Sequence, residues 1–347
     1  MPPVLRALRT CLLSMRRMLR VLPVLLAPVV WPMLPGFGCA QAQAQTATAA
    51  FPSRPVRIIV QYPPGGTPDV YGRVMAGELG ALWGQPVMVE NRTGAAGAIG
   101  TDMVAKAVPD GYTLLFAADA PITISPSLGI RLPYDPIRDL VPVVNVAQGP
   151  FTLMVHPSVP ARDLRAWLAL VRSQPGKWSY ASSGNGSNQH LAMEWIRTAG
   201  HLELTHIPYK GFGQALADAL SGQVPMLFGG VTASIGLIQS GKLIGIGVSG
   251  SHRVAVLPDV PAIAEEFPGF EVLAWYGFMA PAGTSREIIR KINADVLTIV
   301  RRPDFRARLA RDGIDAVGNS PEEFAAQIAR DSAQWTKVIK AAGVKPD

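Results

Sequence analysis

The sequence predicts an α/β protein with parallel sheets, and three observations support this prediction. From residue 51 onward, short apolar runs alternate with longer segments whose apolar residues recur at helical spacing. Strand, helix and strand in succession are typical of parallel sheets covered by helices. The chain has 347 residues, of which 48% are hydrophobic and 16% are charged. It is therefore long and apolar enough to form two domains, each with its own core.

The first predicted unit is a strand at 56–60, a polar turn and a helix. Thr67 is predicted as the N-cap and Pro68 as the first helical residue, because the hydroxyl accepts from a free amide and proline needs no donor there. The apolar residues that follow near helical spacing are Val70, Val74, Leu79 and Leu82. Strands at 87–90 and 112–117 come next, separated by a helix that begins in the glycine-rich stretch 94–100.

A second group of strands follows, with helix-length segments between most of them. This group begins after a strand predicted at 140–146, and its members are predicted at 153–156, 178–181, 202–207, 224–228 and 243–248. Two helices close the chain, and each begins with a predicted capping box, Thr284 with Glu287 and Ser320 with Glu323. One face of the last helix is apolar, which we interpret as packing: Phe324, Ile328, Trp335 and Ile339.

Residues 1–45 have the composition of an export signal. Five arginines, no acidic residue, an apolar run broken by prolines and small residues around Gln41 and Gln43 fit this interpretation better than a core helix. The run at 21–34 is shorter than the roughly 20 residues that a transmembrane helix needs. Both cysteines, Cys11 and Cys39, lie in this leader. We therefore expect a soluble exported chain without disulfides, in preference to one with a lipid anchor at Cys39.

The net charge of +7 comes mostly from the same leader. Without those five arginines the chain carries 27 basic and 25 acidic residues, a net charge of +2, with no dense run of lysine and arginine. Nucleic-acid binding usually needs such a basic surface. Nucleic acid is therefore not expected as a partner.

No catalytic or metal-binding signature is complete. Residues 247–251 lack the last glycine of a nucleophile elbow, and residues 184–189 lack the last glycine of a dinucleotide-binding loop. His201 and His206 lie at a turn into a predicted strand, where their spacing does not suit a metal pair. We expect no metal and no cofactor.

Ser187 and His190 leave two interpretations. In the first, Ser187 caps a helix and His190 is a polar residue of its first turn. In the second, hydroxyl and imidazole form the nucleophilic pair of an exported serine hydrolase, which also needs an orienting group and an oxyanion hole. The cap is favoured, because neither additional group can be named from the sequence.

Three polar, glycine-rich junctions each lead from a strand into a helix, at 62–69, 182–190 and 208–213. Ligands of open α/β sheets bind at strand ends, where helix starts offer free N–H donors. Gly65 and Gly66 permit close approach to the backbone, and Lys210 adds a positive charge. The three junctions together predict an anion-binding cleft, although each alone also fits ordinary turn chemistry.

A series of ordered motifs between residue 51 and the C-terminus carries a family resemblance. They are FPSRPV at 51–56, PPGGTPD at 63–69, VENR at 89–92, PDGYTLL at 109–115, LPYDP at 132–136, YASSGNGS at 180–187, HIPYKG at 206–211, LPDVP at 257–261 and WYG at 275–277. In these motifs the chain resembles the periplasmic substrate-binding proteins of tripartite tricarboxylate transporters, the Bug/TctC family.

The resemblance implies a two-lobed periplasmic-binding-protein-like fold of type II, with a mostly parallel sheet and flanking helices in each lobe and a ligand cleft between them. Residues 51–150 and 274–347 would form lobe 1, and residues 151–273 lobe 2. The implied protein is a periplasmic monomer without catalytic activity. It captures a mono-, di- or tricarboxylate or an aromatic acid and delivers it to the membrane subunits of a transporter. A sensory protein that feeds a membrane receptor would have the same cleft and stays an alternative.

The family's ligand-binding loops transfer to two sets of residues here. They are Gly65, Gly66, Thr67 and Asp69 in lobe 1, and Ser182, Ser183, Gly184, Asn185, Ser187, Tyr209, Lys210 and Gly211 in lobe 2. The family often has an aspartate after the phenylalanine that corresponds to Phe228, but this chain has Gly229. That difference disfavours amine-bearing ligands and makes Thr232 a candidate contact. Asp119 either selects a positive or hydroxyl group of the ligand or caps a helix.

Overall fold

The computed structural model describes residues 51–346, so the predicted leader at 1–45 and Cys39 lie outside the described residues. Within these residues ten strands and ten α-helices mostly alternate along the sequence. The strands are β1 (Val56–Val60), β2 (Val87–Asn91), β3 (Thr113–Ala118), β4 (Leu140–Val155), β5 (Trp178–Ser182), β6 (Leu204–Pro208), β7 (Met226–Gly230), β8 (Ile244–Val248), β9 (Leu273–Pro281) and β10 (Asp315–Ala316). The α/β prediction is thereby confirmed.

The helices cover both faces of the strands. They are α1 (Thr67–Trp83), α2 (Ala98–Ala105), α3 (Ala120–Ser127), α4 (Leu164–Ser173), α5 (Asn188–Ala199), α6 (Phe212–Leu220), α7 (Val231–Gln239), α8 (Arg286–Val300), α9 (Pro303–Arg311) and α10 (Pro321–Ala342). Between residues 51 and 346, no helix is both long and apolar enough to cross a membrane.

The strands follow the order β2-β1-β3-β9-β4-β7-β5-β6, with β8 and β10 paired to β4. We call β2, β1, β3, β9, β10 and the first part of β4 the first sheet, and the end of β4 with β7, β8, β5 and β6 the second sheet. The outer strands are parallel, β1 with β2 and β3, and β5 with β6 and β7. At the centre of the strand order, β4 and β9 are antiparallel.

The strand β4 differs most from its prediction. It is one strand of 16 residues rather than the two short strands predicted at 140–146 and 153–156. Gly149 and Pro150 lie between the two predicted strands, but Pro150 pairs with Leu273 at the end of the β9 ladder, where a missing N–H is tolerated. The strand β9 was not predicted either. The result is a single strand that belongs to both sheets.

Helix starts confirm the predicted capping box of the last helix and correct two other predicted caps. Ser320 accepts from the N–H of Glu323, whose carboxylate accepts from the N–H of Ser320, so the capping box of α10 is present. The α8 cap is Ser285, whose Oγ accepts from Ile288 N–H, and not Thr284. Thr284 Oγ1 instead donates to the carbonyl of Pro281. Three helices rather than two close the chain, because α9 was not predicted.

The N-cap of α1 is also one residue earlier than predicted. Gly66 has the extended backbone of a cap, and Thr67 is the first helical residue, followed by Pro68. No side chain caps this helix. The Thr67 hydroxyl is therefore available for contacts outside the helix.

Separate apolar clusters support the two sheets. Phe116 and Phe278 meet edge to face in the first sheet, with ring centroids 5.0 Å apart. In the second, Trp167 and Tyr180 are fully buried. The apolar face predicted for α10 is buried as expected: Phe324, Ile328, Trp335 and Ile339. Burial of a large apolar side chain contributes about 1.5–3 kcal/mol, so this face fixes α10 against the strands.

Candidate functional site

The carboxyl ends of β1, β3, β5 and β7 all lead into helices. Because β1 adjoins β3 in the first sheet and β5 adjoins β7 in the second, the loops form one set on each sheet. Asn188, the first residue of α5, donates its side-chain N–H to Asp119 Oδ1, just after β3, over 3.2 Å. The two sets of loops therefore meet at the strand ends, which is where α/β proteins bind ligands, and we call this meeting place the crevice.

The loop between β1 and α1 is shaped by Asp69. Its buried carboxylate accepts from the N–H of Gly65 at 2.9 Å and from Asn91 Nδ2 at 2.8 Å, and it pairs with Arg73 at 3.0 Å. Burial alone would raise the pKa of Asp69, but these hydrogen bonds and the Arg73 charge outweigh burial and lower it. Asp69, which was predicted as a ligand contact, thus stabilises the conformation of the loop.

Two glycines make the exposed part of this loop. Gly65 has φ +87°, a left-handed conformation that favours glycine, and both Gly65 and Gly66 are exposed. The start of α1 directs its first N–H groups toward the same side. These residues therefore present backbone, rather than side chains, to the crevice.

The loop between β5 and α5 is held by serine hydroxyls. Ser182 Oγ donates to the carbonyl of Gly184 at 3.0 Å and lies 2.7 Å from His206 Nε2. Ser183 Oγ donates to Gln189 Oε1 at 2.9 Å. Ser187 Oγ accepts from the N–H of His190 and donates to the carbonyl of Gly184. The predicted cap is therefore present at Ser187.

Two stacked imidazoles, those of His190 and His206, contact this loop. The rings of His190 and His206 are 3.8 Å apart and nearly parallel. His190 Nδ1 accepts from the N–H of Gly186 at 3.0 Å, so this nitrogen carries no proton. Asn185 reaches away from the loop and donates to the carbonyl of Lys345 at 2.9 Å. The Ser187 hydroxyl and the His190 imidazole thus both hydrogen-bond to loop backbone.

The remaining predicted residues lie at the starts of α6 and α7. Tyr209 donates to Asp218 Oδ2 at 2.6 Å, and this hydrogen bond, together with burial, raises the pKa of Tyr209 to about 12. Lys210 is exposed, and Gly211, with φ +124°, precedes α6. Thr232 is exposed in the first turn of α7 and donates to the carbonyl of Asp312 at 2.7 Å.

Asp119 lies at the centre of the crevice. Its side chain is buried, with 3% of the residue exposed, and makes no cap hydrogen bond to α3. Burial and, to a smaller extent, the Asp331 charge raise the pKa of Asp119 to about 7. The hydrogen bond from Asn188 lowers the pKa but does not offset this rise. A group that changes charge near neutral pH therefore lies between the two sheets.

Three residues near Asp119 were not predicted as site residues. Besides Asn188, they are Tyr62 and Tyr276, whose phenol pKa values are raised first by burial and then by the Asp119 charge. A hydrogen bond with the Thr67 side chain partly offsets the rise at Tyr276. Tyr62 and Asn188 lie inside two of the predicted strand-to-helix junctions, and Tyr276 lies inside the WYG motif. Their positions in the sequence could therefore have identified them as site residues.

A cavity of 660 Å³ lies elsewhere, along α10 and the start of β9. Its lining includes Glu271, Arg330 and Asp331 but none of the predicted ligand residues. We place the site at the crevice instead, because the loop glycines and helix starts converge there. Among residues 51–346, no group of three or more histidine, cysteine or acidic side chains is arranged to hold a metal ion.

The comparison with protein families decides the relationship. A model of the "Tripartite tricarboxylate transporter family receptor" matches residues 71–344. The chain belongs to this family. The resemblance stated from the sequence motifs is confirmed.

Relatives of this receptor family match along most of their length. A protein from the tcbD-tcbE intergenic region of Pseudomonas sp. (strain P51) is 37% identical over 312 residues, which cover 88% of this chain and 93% of the relative. Protein BugT of Bordetella pertussis is 34% identical over 335 residues, which cover 96% of this chain and 99% of BugT.

Solved structures of the receptor family have the same fold. A periplasmic transporter with 37% identity gives a TM-score of 0.78 and covers 86% of this chain and 100% of its own. An R. palustris protein with adipate, 31% identical, gives 0.79 with the same coverage. MatC from Rhodopseudomonas palustris, with bound malate, is 30% identical, gives 0.73 and covers 83% of this chain and 100% of MatC.

Proposed function

We propose that this receptor captures a small carboxylate in the periplasm and delivers it to the membrane subunits of a tripartite tricarboxylate-type transporter. The observation that carries the proposal is the meeting of Asp119 and Asn188, which brings helix starts from both sheets to one crevice. Residues 1–45 direct export in this proposal. The mature chain acts as a monomer and catalyses no reaction.

The proposed site uses backbone donors from both sides. In this proposal the N–H groups at the starts of α1 and α5 bind the ligand carboxylate, and the exposed Gly65 and Gly66 let it approach the first of them. Ordered waters can extend these contacts. Since adipate and malate, the ligands of two related structures, are both dicarboxylates, we place small dicarboxylates first in the ligand class.

Capture requires the two sides to move. We assign lobe 1 to residues 51–150 and 274–347, and lobe 2 to residues 151–273. The strands β4 and β9 connect the two assignments near Pro150 and Leu273, which pair with each other. A ligand that contacts both lobes stabilises the closed arrangement by its differential affinity for it.

Thermal unfolding of the leaderless protein with a panel of carboxylates tests the proposal. A ligand at a thousand times its Kd adds about 4 kcal/mol to the free energy of unfolding. We expect a clear rise in Tm with a subset of carboxylates and none with the corresponding amides. If no carboxylate raises the Tm after co-purified ligand has been removed, the proposal is wrong.

A further inference from the structure

One oxygen of Asp119 is not used by the protein fold. The backbone carbonyl of Asp119 accepts from the N–H groups of Ile122 and Thr123, as expected at the start of α3. Its side chain makes no cap hydrogen bond. Oδ1 receives the side-chain N–H of Asn188, whereas Oδ2 is buried and has no hydrogen-bond partner within the described part of the chain. The carboxyl thus has unused capacity to accept.

No cation compensates this carboxyl among the described groups that shift its pKa. Those groups are Asn188, Asp331 and the backbone amides of Asp119 and Ala120. Asn188 Oδ1 is also buried without a partner in residues 51–346. A buried polar group that lacks its hydrogen bond costs about 1–3 kcal/mol, and more when it is charged. Two unsatisfied acceptors therefore belong to two residues that contact each other.

The two acceptors lie beside the loops that form the proposed ligand site. Tyr62 and Thr67 belong to the β1–α1 junction, Tyr276 to β9 and Asn188 to the start of α5. The Asp119 charge acts on both phenols, and the Asn188 amide contacts Asp119 directly. Asp119 is thus enclosed by the same loops that offer the proposed anion site.

We propose that Asp119 makes the receptor prefer carboxylates that also carry a hydrogen-bond donor, a hydroxyl or an ammonium group. This inference rests on the proposed capture of a carboxylate. The donor pairs with Asp119 Oδ2, while the ligand carboxylate binds the backbone N–H groups. A ligand without the donor leaves Oδ2 of the ionised Asp119 unpaired. Such a site discriminates more strongly than an apolar pocket does, because its polar groups are left unpaired by the wrong ligand.

Isothermal titration calorimetry of the leaderless protein with paired ligands tests the inference. The pairs are malate with succinate and lactate with propionate, which differ in a hydroxyl, and aspartate with succinate, which differs in an ammonium. We expect the donor-bearing member of at least one pair to bind ten-fold or more tightly. The pair that shows the preference identifies the donor as hydroxyl or ammonium.

Two variants assign the preference to Asp119. In Asp119→Asn a donor replaces one acceptor at nearly constant shape, so the preference should fall to three-fold or less. Asp119→Ala removes both acceptors and should have the same effect. The matched control is Asp331→Asn, which removes a nearby carboxylate on α10 while an oxygen remains for Trp275 Nε1, its present donor at 3.1 Å. The control should keep the preference within two-fold.

The outcomes separate the two proposals. If carboxylates bind but every pair binds equally, or if both Asp119 variants keep the preference, Asp119 does not select the donor and only this inference fails. If no carboxylate binds the unmutated protein, the proposed function fails and this inference fails with it.

Discussion

Thr232 Oγ1 donates a hydrogen bond of 2.7 Å to the backbone carbonyl of Asp312, 80 residues further along the chain. The Asp312 carboxylate in turn accepts from the Tyr71 hydroxyl of α1. Thr232 follows β7 in the second sheet, whereas α1 and α9 pack with the first sheet. The three residues thus join the two sheets at a place separate from the contact between Asp119 and Asn188.

Replacing Thr232 with valine removes this tether and keeps the shape of the side chain. A net hydrogen bond contributes about 0.5–1.5 kcal/mol, and Thr232 is exposed, so we expect a loss of less than about 1 kcal/mol in the free energy of unfolding. Urea unfolding measures the change. Thr232→Ser keeps the hydroxyl and should retain most of the stability. A valine variant as stable as the serine variant would show that the tether contributes nothing.

Asp69 should matter far more for stability than Arg73, its ion-pair partner. Asp69→Ala leaves the side-chain amide of Asn91 and the N–H of Gly65 without their acceptor, which we expect to cost about 2 kcal/mol. Arg73→Ala removes an ion pair and an exposed hydrogen bond to Asn91 Oδ1, and the arginine side chain is 51% exposed, so the expected loss is below about 1 kcal/mol. Urea unfolding of both variants at pH 7 gives the comparison. Equal losses would contradict the role of Asp69 in shaping the loop.

Stability should depend on pH through Asp119. Its pKa is raised from 3.8 to about 7, first by burial and then by the charge of Asp331. Between these two values the folded protein holds a proton that the unfolded chain has released, so the free energy of unfolding falls as the pH rises from about 4 to 7. The groups that face this carboxyl are Tyr62, Tyr276, Asn188 and Asp331.

The variant Asp119→Asn isolates this effect. It cannot titrate, so its stability relative to the unmutated protein should increase as the pH rises from 5 to 8. Asp331, whose pKa burial raises to about 6, adds a decline of the same sign in both proteins. Because the Asp331 charge also raises the pKa of Asp119, the difference between the two proteins includes this coupling. Thermal unfolding across this pH range provides the measurement. A stability difference that is independent of pH would show that Asp119 titrates as an ordinary aspartate.

Gly186 should tolerate alanine less well than Gly65. Both have a positive φ, +70° and +87° respectively, which costs a residue with a Cβ about 1–2 kcal/mol. A Cβ on Gly186 would also overlap Leu128 Cδ1, whereas nothing lies within 4 Å of a Cβ on Gly65. We expect Gly186→Ala to lose about 1 kcal/mol more than Gly65→Ala in urea unfolding. Similar losses would mean that Leu128 moves aside without cost.

Local patterns were sufficient for much of the secondary structure. The strand predicted at 56–60 is β1 without a change of boundary, and the capping box of Ser320 and Glu323 begins α10. Both follow from groups only a few residues apart, since strand propensity and helix capping act over one or two turns of chain. The Ser187 cap was predictable for the same reason, because Ser187 and His190 are three residues apart.

Contacts between distant residues could not be predicted in this way. Whether 140–155 forms one strand or two depends on pairing with β9, more than 100 residues later. Gly149 and Pro150, which lie between the two predicted strands, pair with Ala274 and Leu273 of β9. Thr284 and Ser285 are both plausible caps for α8, but the Thr284 hydroxyl donates to the carbonyl of Pro281 and Ser285 caps the helix.

By itself the sequence determined the α/β class, the three strand-to-helix junctions and the family, because these depend on local periodicity and on motifs read along the chain. The tertiary structure alone decided that Asp119 and Asn188, 69 residues apart, share a hydrogen bond between two sheets. It also decided that Asp119 is buried next to Tyr62 and Tyr276. Burial and long-range proximity set the charge and the hydrogen-bonding capacity of a side chain, and neither is encoded in its neighbours along the chain.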